Sequence, residues 1–347
     1  MKHILTAIFC FFTGISCCDM ASHPPAETFF RRDAITDGIF IDAKEIRIPG
    51  FKDAFNPSLI DTEQGLLLSF RYLPDPLGNP SFSDIYMVYL HDDFTLKSLP
   101  QKLPTRTKTH PIPSQAEDAR LFRFQGSLWV IYNDNMEFLG ISADQRRDMY
   151  IAKVDFTGGR FCLGKPLKII HQGKWDNVLW QKNWVPFEYQ GNLLMSYSLN
   201  PHEVLLVNMN TGVCQSVYET KAPIKWVFGS MRGGTPAELV DGEYLAFFHS
   251  SKEMPSLYSN GKLMYHYFMA AYTFSKDPPF HITKMNKSPL IHPDLYKPTA
   301  YGKRVVFPGG FAIRGNKIIM ALGKDDHQVW VVTMDKDKVL QSMSSVK

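Results

Sequence analysis

Cysteine is scarce in this 347-residue chain, which has five. Cys10, Cys17 and Cys18 lie in the N-terminal segment, so only Cys162 and Cys214 remain for a mature protein. Two cysteines cannot build the disulfide framework of a small secreted scaffold. They allow one disulfide in an oxidising compartment or two buried free thiols, and the sequence favours neither.

Short metal-binding motifs are missing as well, since the chain has no CxxC and no HExxH. His327 follows Asp325 and Asp326, but this spacing is not typical of metal ligands. No glycine-rich phosphate-binding loop precedes a helix. We therefore predict no metal site and no cofactor, apart from a co-substrate considered below.

The chain also lacks an excess of one charge. It has 38 Lys and Arg against 34 Asp and Glu, a formal net charge of +4. Nucleic-acid-binding domains usually carry a clustered basic surface. We therefore expect no nucleic-acid partner. The sequence does not determine the oligomeric state.

The N-terminal apolar run, Ile4 to Phe12, is too short to span a bilayer comfortably. Lys2 and His3 precede it and small residues follow it, which is the order of a secretory signal. We predict that residues 1–18 are a signal peptide, and that the protein is exported to the periplasm or the cell surface.

The small residues before Cys17 resemble a bacterial lipoprotein signal, although Gly14 stands where that pattern usually has Leu. Lipidation at Cys17 would be the only membrane contact, while an ordinary cleaved signal peptide or a membrane anchor are the alternatives. Residues 19–37 are polar and contain proline, which predicts a linker. We predict that residues 38–347 form one domain.

The chain is rich in short apolar runs and in turn residues. There are 23 Gly and 23 Pro, and 44% of residues are hydrophobic. Such runs, punctuated by turns, favour an all-β chain. Five hairpins recur with a period of roughly 50 to 70 residues, each followed by a further strand pair. Their turns are at Gly65, Gly126, Gly191, Gly242 and Gly315. This repeat predicts a five-bladed β-propeller.

Polar residues recur at the start of each hairpin and at the end of its second strand. In a propeller these positions project at one face of the ring, where distant residues meet. Such convergence is typical of a ligand site; the alternative is a channel wall holding only water and ion pairs. The set is Asn56, Arg71, Asp118, Arg120, Lys182, Asn183, Arg232, His249 and Asp326.

The motifs in these hairpins, taken in order, resemble glycoside hydrolase family 130, whose members are five-bladed propellers that act on β-mannosides. The resemblance spans about residues 50 to 335. The motifs are Phe55-Asn56-Pro57 with Arg71, Glu117-Asp118-x-Arg120, Lys182-Asn183-Trp184-x-Pro186-Phe187, Gly233-Gly234-x-Pro236 with His249, and Val306-Phe307-Pro308-Gly309-Gly310 with Gly323-x-x-Asp326. The sequence departs from the family at Ala119, where Pro is usual.

The resemblance implies roles for individual residues. Asp118 would be the general acid, and in the family its proton is thought to pass through a sugar hydroxyl. The substrate-binding residues would be Asn56, Arg71, Arg120 and Asp326. Lys182 and His249 match positions that hold phosphate in the phosphorylase members, and Arg147 is the nearest candidate for a further phosphate-binding arginine.

The nucleophile is left open by the sequence. Inverting cleavage needs a proton for the leaving oxygen and a nucleophile on the opposite face. In a phosphorylase, inorganic phosphate is the co-substrate, and cations such as Lys182 and His249 would hold it. A hydrolase instead needs a carboxylate to activate water, and Glu117, Glu203 or Asp326 would serve. Export favours hydrolysis, since little phosphate is expected outside the cell.

Two other functions remain as alternatives, a β-mannosyltransferase of a related propeller family and a non-catalytic sugar-binding propeller. An oligosaccharide or glycan is the expected ligand in every case. Four aromatic residues are candidate sugar-stacking surfaces, although for most of them packing between blades is the stronger expectation. They are Tyr132, Trp184, Tyr197 and Trp226.

Overall fold

The computed structural model describes residues 37–79, 81–106, 110–136, 146–174, 179–255, 259, 261–297, 299–300 and 304–346. The predicted signal peptide, the Cys17 lipidation position and all of the predicted linker except Asp37 lie outside the described residues. Within the described ranges, no helix is both long enough and apolar enough to cross a bilayer.

The described residues form antiparallel sheets that follow one another along the chain as the five blades of a β-propeller. The prediction of an all-β, five-bladed propeller is confirmed. Strand β1 (Phe40–Glu45) belongs to the last blade. The first blade contains β2 (Phe55–Thr62), β3 (Gly65–Tyr72), β4 (Asp84–Leu90) and β5 (Gln101–Lys102).

The second and third blades are joined at their outer edges by parallel pairing. The second contains β6 (Glu117–Phe124), β7 (Ser127–Asp134), β8 (Asp148–Thr157), β9 (Arg160–Leu163) and β10 (Leu167–His171). The third contains β11 (Val185–Tyr189), β12 (Asn192–Leu199), β13 (His202–Val207) and β14 (Val213–Thr220).

The last two blades take in both ends of the folded chain. The fourth contains β15 (Ser230–Gly233), β16 (Glu238–Val240), β17 (Glu243–Met254), β18 (Met264–Ser275), β19 (Ile282–Asn286) and β23 (Met343–Ser345). The fifth contains β20 (Val306–Arg314), β21 (Lys317–Lys324), β22 (Gln328–Asp335) and β1. Two short helices, α1 (Pro293–Tyr296) and α2 (Lys336–Ser342), lie in the connections.

The core consists of five apolar clusters, one between each pair of neighbouring blades. Side chains alternate across a strand, so each blade has two faces to bury. In β3, Leu66 and Leu68 pack towards the fifth blade, whereas Leu67 packs towards the second. This burial on both faces explains why the second strands read as continuous apolar runs rather than as alternating ones.

Two of the four aromatic residues considered for sugar stacking belong to this core. Tyr132 is fully buried between the first and second blades, and Trp184 is buried between the second and third. Trp226 is partly buried and packs on Phe228 and Phe248. Tyr197 is the remaining candidate that lines a cavity.

Three of the hairpin turns have the chemistry that the sequence suggested. Gln125-Gly126, Gln190-Gly191 and Asp241-Gly242 each have positive φ at both residues, as a two-residue type I′ turn requires. The two mature-chain cysteines are free thiols, with Cys162 exposed and Cys214 buried.

The propeller is closed at its centre by contacts between innermost strands. A Cβ on Gly309 of β20 would overlap the carbonyl oxygen of Pro57 in β2, so the two backbones touch. Ser58 Oγ accepts a hydrogen bond of 3.0 Å from the backbone N–H of Leu121 in β6. We call the face of the ring that carries Asn56, Asp118 and Lys182 the polar face. Packed backbone therefore separates it from the opposite end of the ring.

Replacement of Gly309 by Ala should destabilise the fold by about 1–3 kcal/mol, because the methyl group meets a backbone carbonyl that has no room to move. Urea unfolding followed by fluorescence measures this. Gly164→Ala is the control, since its Cβ would lie at an ordinary 3.4 Å from Lys153 O. Equal midpoints for the two variants would contradict the close packing of the innermost strands.

Candidate functional site

The polar face begins where the innermost strands are bulged. The pairing register of β2 shifts between Phe55 and Ser58, and that of β6 shifts between Glu117 and Arg120. At each bulge a polar residue has positive φ, 43° at Asn56 and 54° at Asp118. Asn and Asp tolerate this region better than other non-glycine residues, and bulges re-aim side chains. Both side chains are thereby turned towards one site.

The change from Pro to Ala at position 119 leaves this geometry intact. Asp118 precedes Ala119 and Asn56 precedes Pro57, yet both polar residues have left-handed backbone and both lie at a register shift. The bulge therefore does not depend on the proline ring.

Three cations surround the buried carboxylate of Glu117. Arg71 Nη2 donates to Oε1 at 2.9 Å, Lys182 Nζ donates to Oε2 at 2.6 Å, and Arg147 Nε lies 3.4 Å from Oε1. These residues come from the first, second and third blades. Burial by itself raises the pKa of Glu117, but the charges of Arg71, Lys182 and Arg147 outweigh it and lower the pKa. Glu117 is therefore ionised, and the cluster keeps a net positive charge.

Asp118 lies directly beside this charge cluster and is itself buried. Asn56 Nδ2 donates to its Oδ1 at 2.9 Å, and Arg71 Nη1 lies 3.7 Å from the same oxygen. Arg71 is positioned in turn against the ring of Phe55, 4.9 Å from its centroid. The structure thus brings together the predicted acid and two predicted substrate-binding residues.

Arg120, which the sequence predicts to bind substrate, is buried in the structure. It is 1% exposed, and its Nη2 donates to Asn183 Oδ1 at 2.9 Å. Its guanidinium lies over the ring of Phe307, 5.1 Å from the centroid. Burial lowers its pKa to about 10, so it remains protonated at neutral pH. Arg120 therefore links innermost strands and positions Asn183.

His249 was expected to help hold phosphate as a cation, but its imidazole is uncharged in the fold. It is buried on β17, where it pairs in register with Arg232 and packs on Phe307. Burial, followed by the charges of Arg120 and Arg232, lowers its pKa to about 3. The imidazole is therefore neutral at physiological pH. A neutral ring can hydrogen-bond an anion but adds no charge to hold it.

A cavity of about 370 Å³ opens next to Lys182, between the third and fourth blades. Its lining includes Asn183, Tyr197, Ser198 and the exposed Arg232. Trp180, which the sequence did not single out, also lines it and is 56% exposed. The sequence offers one indication of this position, because Trp180 stands two residues before Lys182, a predicted site residue.

Asp326 lies on the same face of the ring, in the turn between β21 and β22. Gly323, at the end of β21, packs against Asn56, so the turn is close to the first blade. The neighbouring Asp325 is a structural residue, because Thr299 Oγ1 and the Val305 N–H donate to it at 2.6 and 2.9 Å.

Glu203 is held in a separate cluster at the start of β13. His171 Nε2 lies 2.8 Å from its Oε1, and Lys174 Nζ donates to its Oε2 at 2.6 Å. Burial raises the pKa of Glu203, but these two partners lower it overall. Within the described ranges, no three His, Cys, Asp or Glu side chains are grouped as metal ligands.

Comparison with protein-family profiles identifies the family of this chain. A sequence profile described as glycoside hydrolase family 130, β-1,4-mannooligosaccharide phosphorylase, matches residues 42–345. The chain belongs to glycoside hydrolase family 130. A comparison with curated protein sequences gave no match.

Solved structures of family 130 proteins and other similar chains share the fold. A β-1,2-mannobiose phosphorylase from Listeria innocua is 18% identical, with a TM-score of 0.58 over 88% of this chain and 96% of that one. A mannose phosphorylase from Leishmania mexicana is 12% identical, with a TM-score of 0.59 over 92% and 96%. A structure reported with family 130 hydrolases that target β-1,2-mannosidic linkages in Candida mannan is 14% identical, with a TM-score of 0.61 over 85% and 87%. At these identities the likeness shows the fold alone.

The free energy of unfolding of the protein should depend on pH through His249. In the unfolded chain its pKa is near 6.5, and in the fold it is about 3. The unfolded state therefore binds more protons between these values, so stability is complete above pH 6.5 and is lost as pH falls towards 3. In His249→Gln the free energy of unfolding should fall less steeply over that range.

The measurement is urea unfolding at several pH values, with slopes compared rather than absolute stabilities, because Gln also changes packing. Exposed His281→Gln is the control and should keep the wild-type slope. An unchanged slope in His249→Gln would contradict a neutral, buried imidazole.

Proposed function

We propose that this protein cleaves β-mannosidic bonds with inversion, with Asp118 as the general acid. The observation that carries the proposal is the buried Asp118 carboxylate, which shares Arg71 with the neighbouring, cation-ringed Glu117 in a chain of family 130. The substrate is a β-linked manno-oligosaccharide or glycan.

Among the described residues, Asn56 and Arg71 both contact the Oδ1 atom of Asp118. We assign Oδ2 to proton delivery, either directly to the leaving oxygen or through a sugar hydroxyl. Glu117 is unsuited to this role, because a carboxyl whose pKa is lowered by three cations is ionised and does not donate a proton.

Phosphorolysis is the reaction that the charges favour. An oxygen of inorganic phosphate attacks the anomeric carbon opposite the leaving oxygen, the glycosidic bond breaks, and the leaving oxygen takes the proton of Asp118. The products are α-mannose 1-phosphate and a shortened sugar. Lys182, Arg147 and Arg71 exceed the charge of the ionised Glu117 by two, which supports binding of an anion here.

Hydrolysis is the second candidate, supported by the signal-like N-terminus. It needs a carboxylate base whose pKa is near the working pH. Glu117 and Glu203 are both poor bases, since neighbouring cations lower the pKa of each. Asp326 is the remaining candidate base on this face.

Asp118→Asn should reduce turnover of β-mannosides by about 10²–10⁴-fold, since the amide has no proton to give. Release of mannose or mannose 1-phosphate from β-1,2- and β-1,4-linked manno-oligosaccharides is the assay. The control is Asp155→Asn, which removes an exposed carboxylate from β8. Full activity in Asp118→Asn would rule out its assignment as the acid.

Turnover should require inorganic phosphate, and Lys182→Ala should raise the KM for phosphate by about tenfold or more through loss of a charge-assisted contact. Initial rates at varied phosphate measure this, with exposed Lys165→Ala as the control. Mannose release at full rate without phosphate would show hydrolysis instead and would assign the base to another carboxylate.

A further inference from the structure

An exposed tryptophan borders the cavity next to the proposed acid site. Trp180 is 56% exposed, whereas the other large aromatic residues near this face, such as Trp184 and Tyr132, are buried in the core. Exposing an indole ring to water is unfavourable, so a solvent-facing Trp at a cavity is typical of a ligand-binding surface.

The backbone of Trp180 is anchored to the site rather than to a free loop. Arg147 N donates to Leu179 O at 2.8 Å, and Gln181 N donates to Arg147 O at 2.8 Å. These bonds form a parallel bridge between Arg147 and Trp180. The main chain that carries the indole is thus fixed relative to Arg147, which contacts Glu117.

Lys182 connects this tryptophan to the charge cluster. Its Nζ lies 4.6 Å from the centroid of the Trp180 ring and 2.6 Å from Glu117 Oε2. The cavity and the proposed acid site therefore share one side chain. A sugar chain bound at Asp118 would have this cavity as its neighbouring space.

The rest of the cavity lining has the polar groups that sugar hydroxyls need. Ser198 donates to Pro201 O at 2.6 Å, which leaves its oxygen as an acceptor. Arg232 is exposed and brings a guanidinium to the lining. Tyr197 adds a second aromatic wall. The volume, about 370 Å³, lies within the range of small-molecule sites of about 300–1,000 Å³.

We propose that this cavity is a subsite for a mannose unit remote from the bond that is cleaved, with Trp180 as its stacking platform. It rests on the proposed function for the identity of the sugar. The consequence is selectivity for chain length, because a trisaccharide reaches the platform and a disaccharide does not. Trp180 acts by binding and orienting, without contact with the reacting atoms.

The test uses the full-length Asp118→Asn protein, so that binding is measured without turnover. Trp180→Ala in this background should weaken the Kd for β-linked mannotriose by about tenfold or more, since truncation of a well-placed Trp at a binding surface is costly. The Kd for mannobiose should change less than twofold. Trp180→Phe should retain most of the trisaccharide affinity. Isothermal titration, with both β-1,2- and β-1,4-linked sugars, gives these values.

Leu239→Ala is the matched control, since Leu239 is 59% exposed but lies in β16 at the opposite end of the innermost strand. It should leave both affinities unchanged. Equal weakening of disaccharide and trisaccharide by Trp180→Ala, no weakening of either, or no saturable binding of either sugar would overturn the subsite.

The subsite and the proposed function fail in different ways. Turnover of mannosides by the wild-type protein without selective trisaccharide binding would leave the function standing and reject the subsite. Selective binding without turnover, at any phosphate concentration, would keep the subsite and reject the enzyme.

Discussion

The ionised Glu117 carboxylate at the mouth of the propeller is the constraint on which the site depends. A buried carboxylate without partners is costly, by several kcal/mol. Here one cation from each of three blades balances it, so Arg71, Arg147 and Lys182 are held in fixed positions by a single group. The ring of blades and the charge cluster support each other, because neither the cations nor Glu117 could remain buried alone.

The β-bulges at the starts of β2 and β6 provide the second constraint on the site. Asn56 and Asp118 occupy left-handed backbone at register shifts, and their side chains meet in a 2.9 Å hydrogen bond. Below them, Arg120 and the touching glycine backbones close the ring. Asp118 is thus placed on a rigid innermost strand and not on a loop, which suits the proposed acid, a group that must be positioned within a fraction of an ångström.

Much of the fold was predictable, because turn glycines and apolar runs are local signals. Convergence of Asn56, Arg71, Asp118 and Lys182 followed from the repeat, and the structure brings these four together. The burial of Arg120 and of His249 could not be predicted. Arg120 is a buried cross-link, and burial lowers the pKa of His249 so that its imidazole is neutral. Residue type alone does not reveal burial.

The sequence by itself determined the five hairpins, the polar residues at their openings and the family, because each depends on short-range pattern. Only the tertiary structure decided which ionisable groups carry charge. The pKa of Glu117 is set by Arg71, which lies 46 residues away along the chain, and by Lys182, 65 residues away. Such distances in sequence become a few ångströms only when the blades close, and electrostatic energy depends on that separation and on burial.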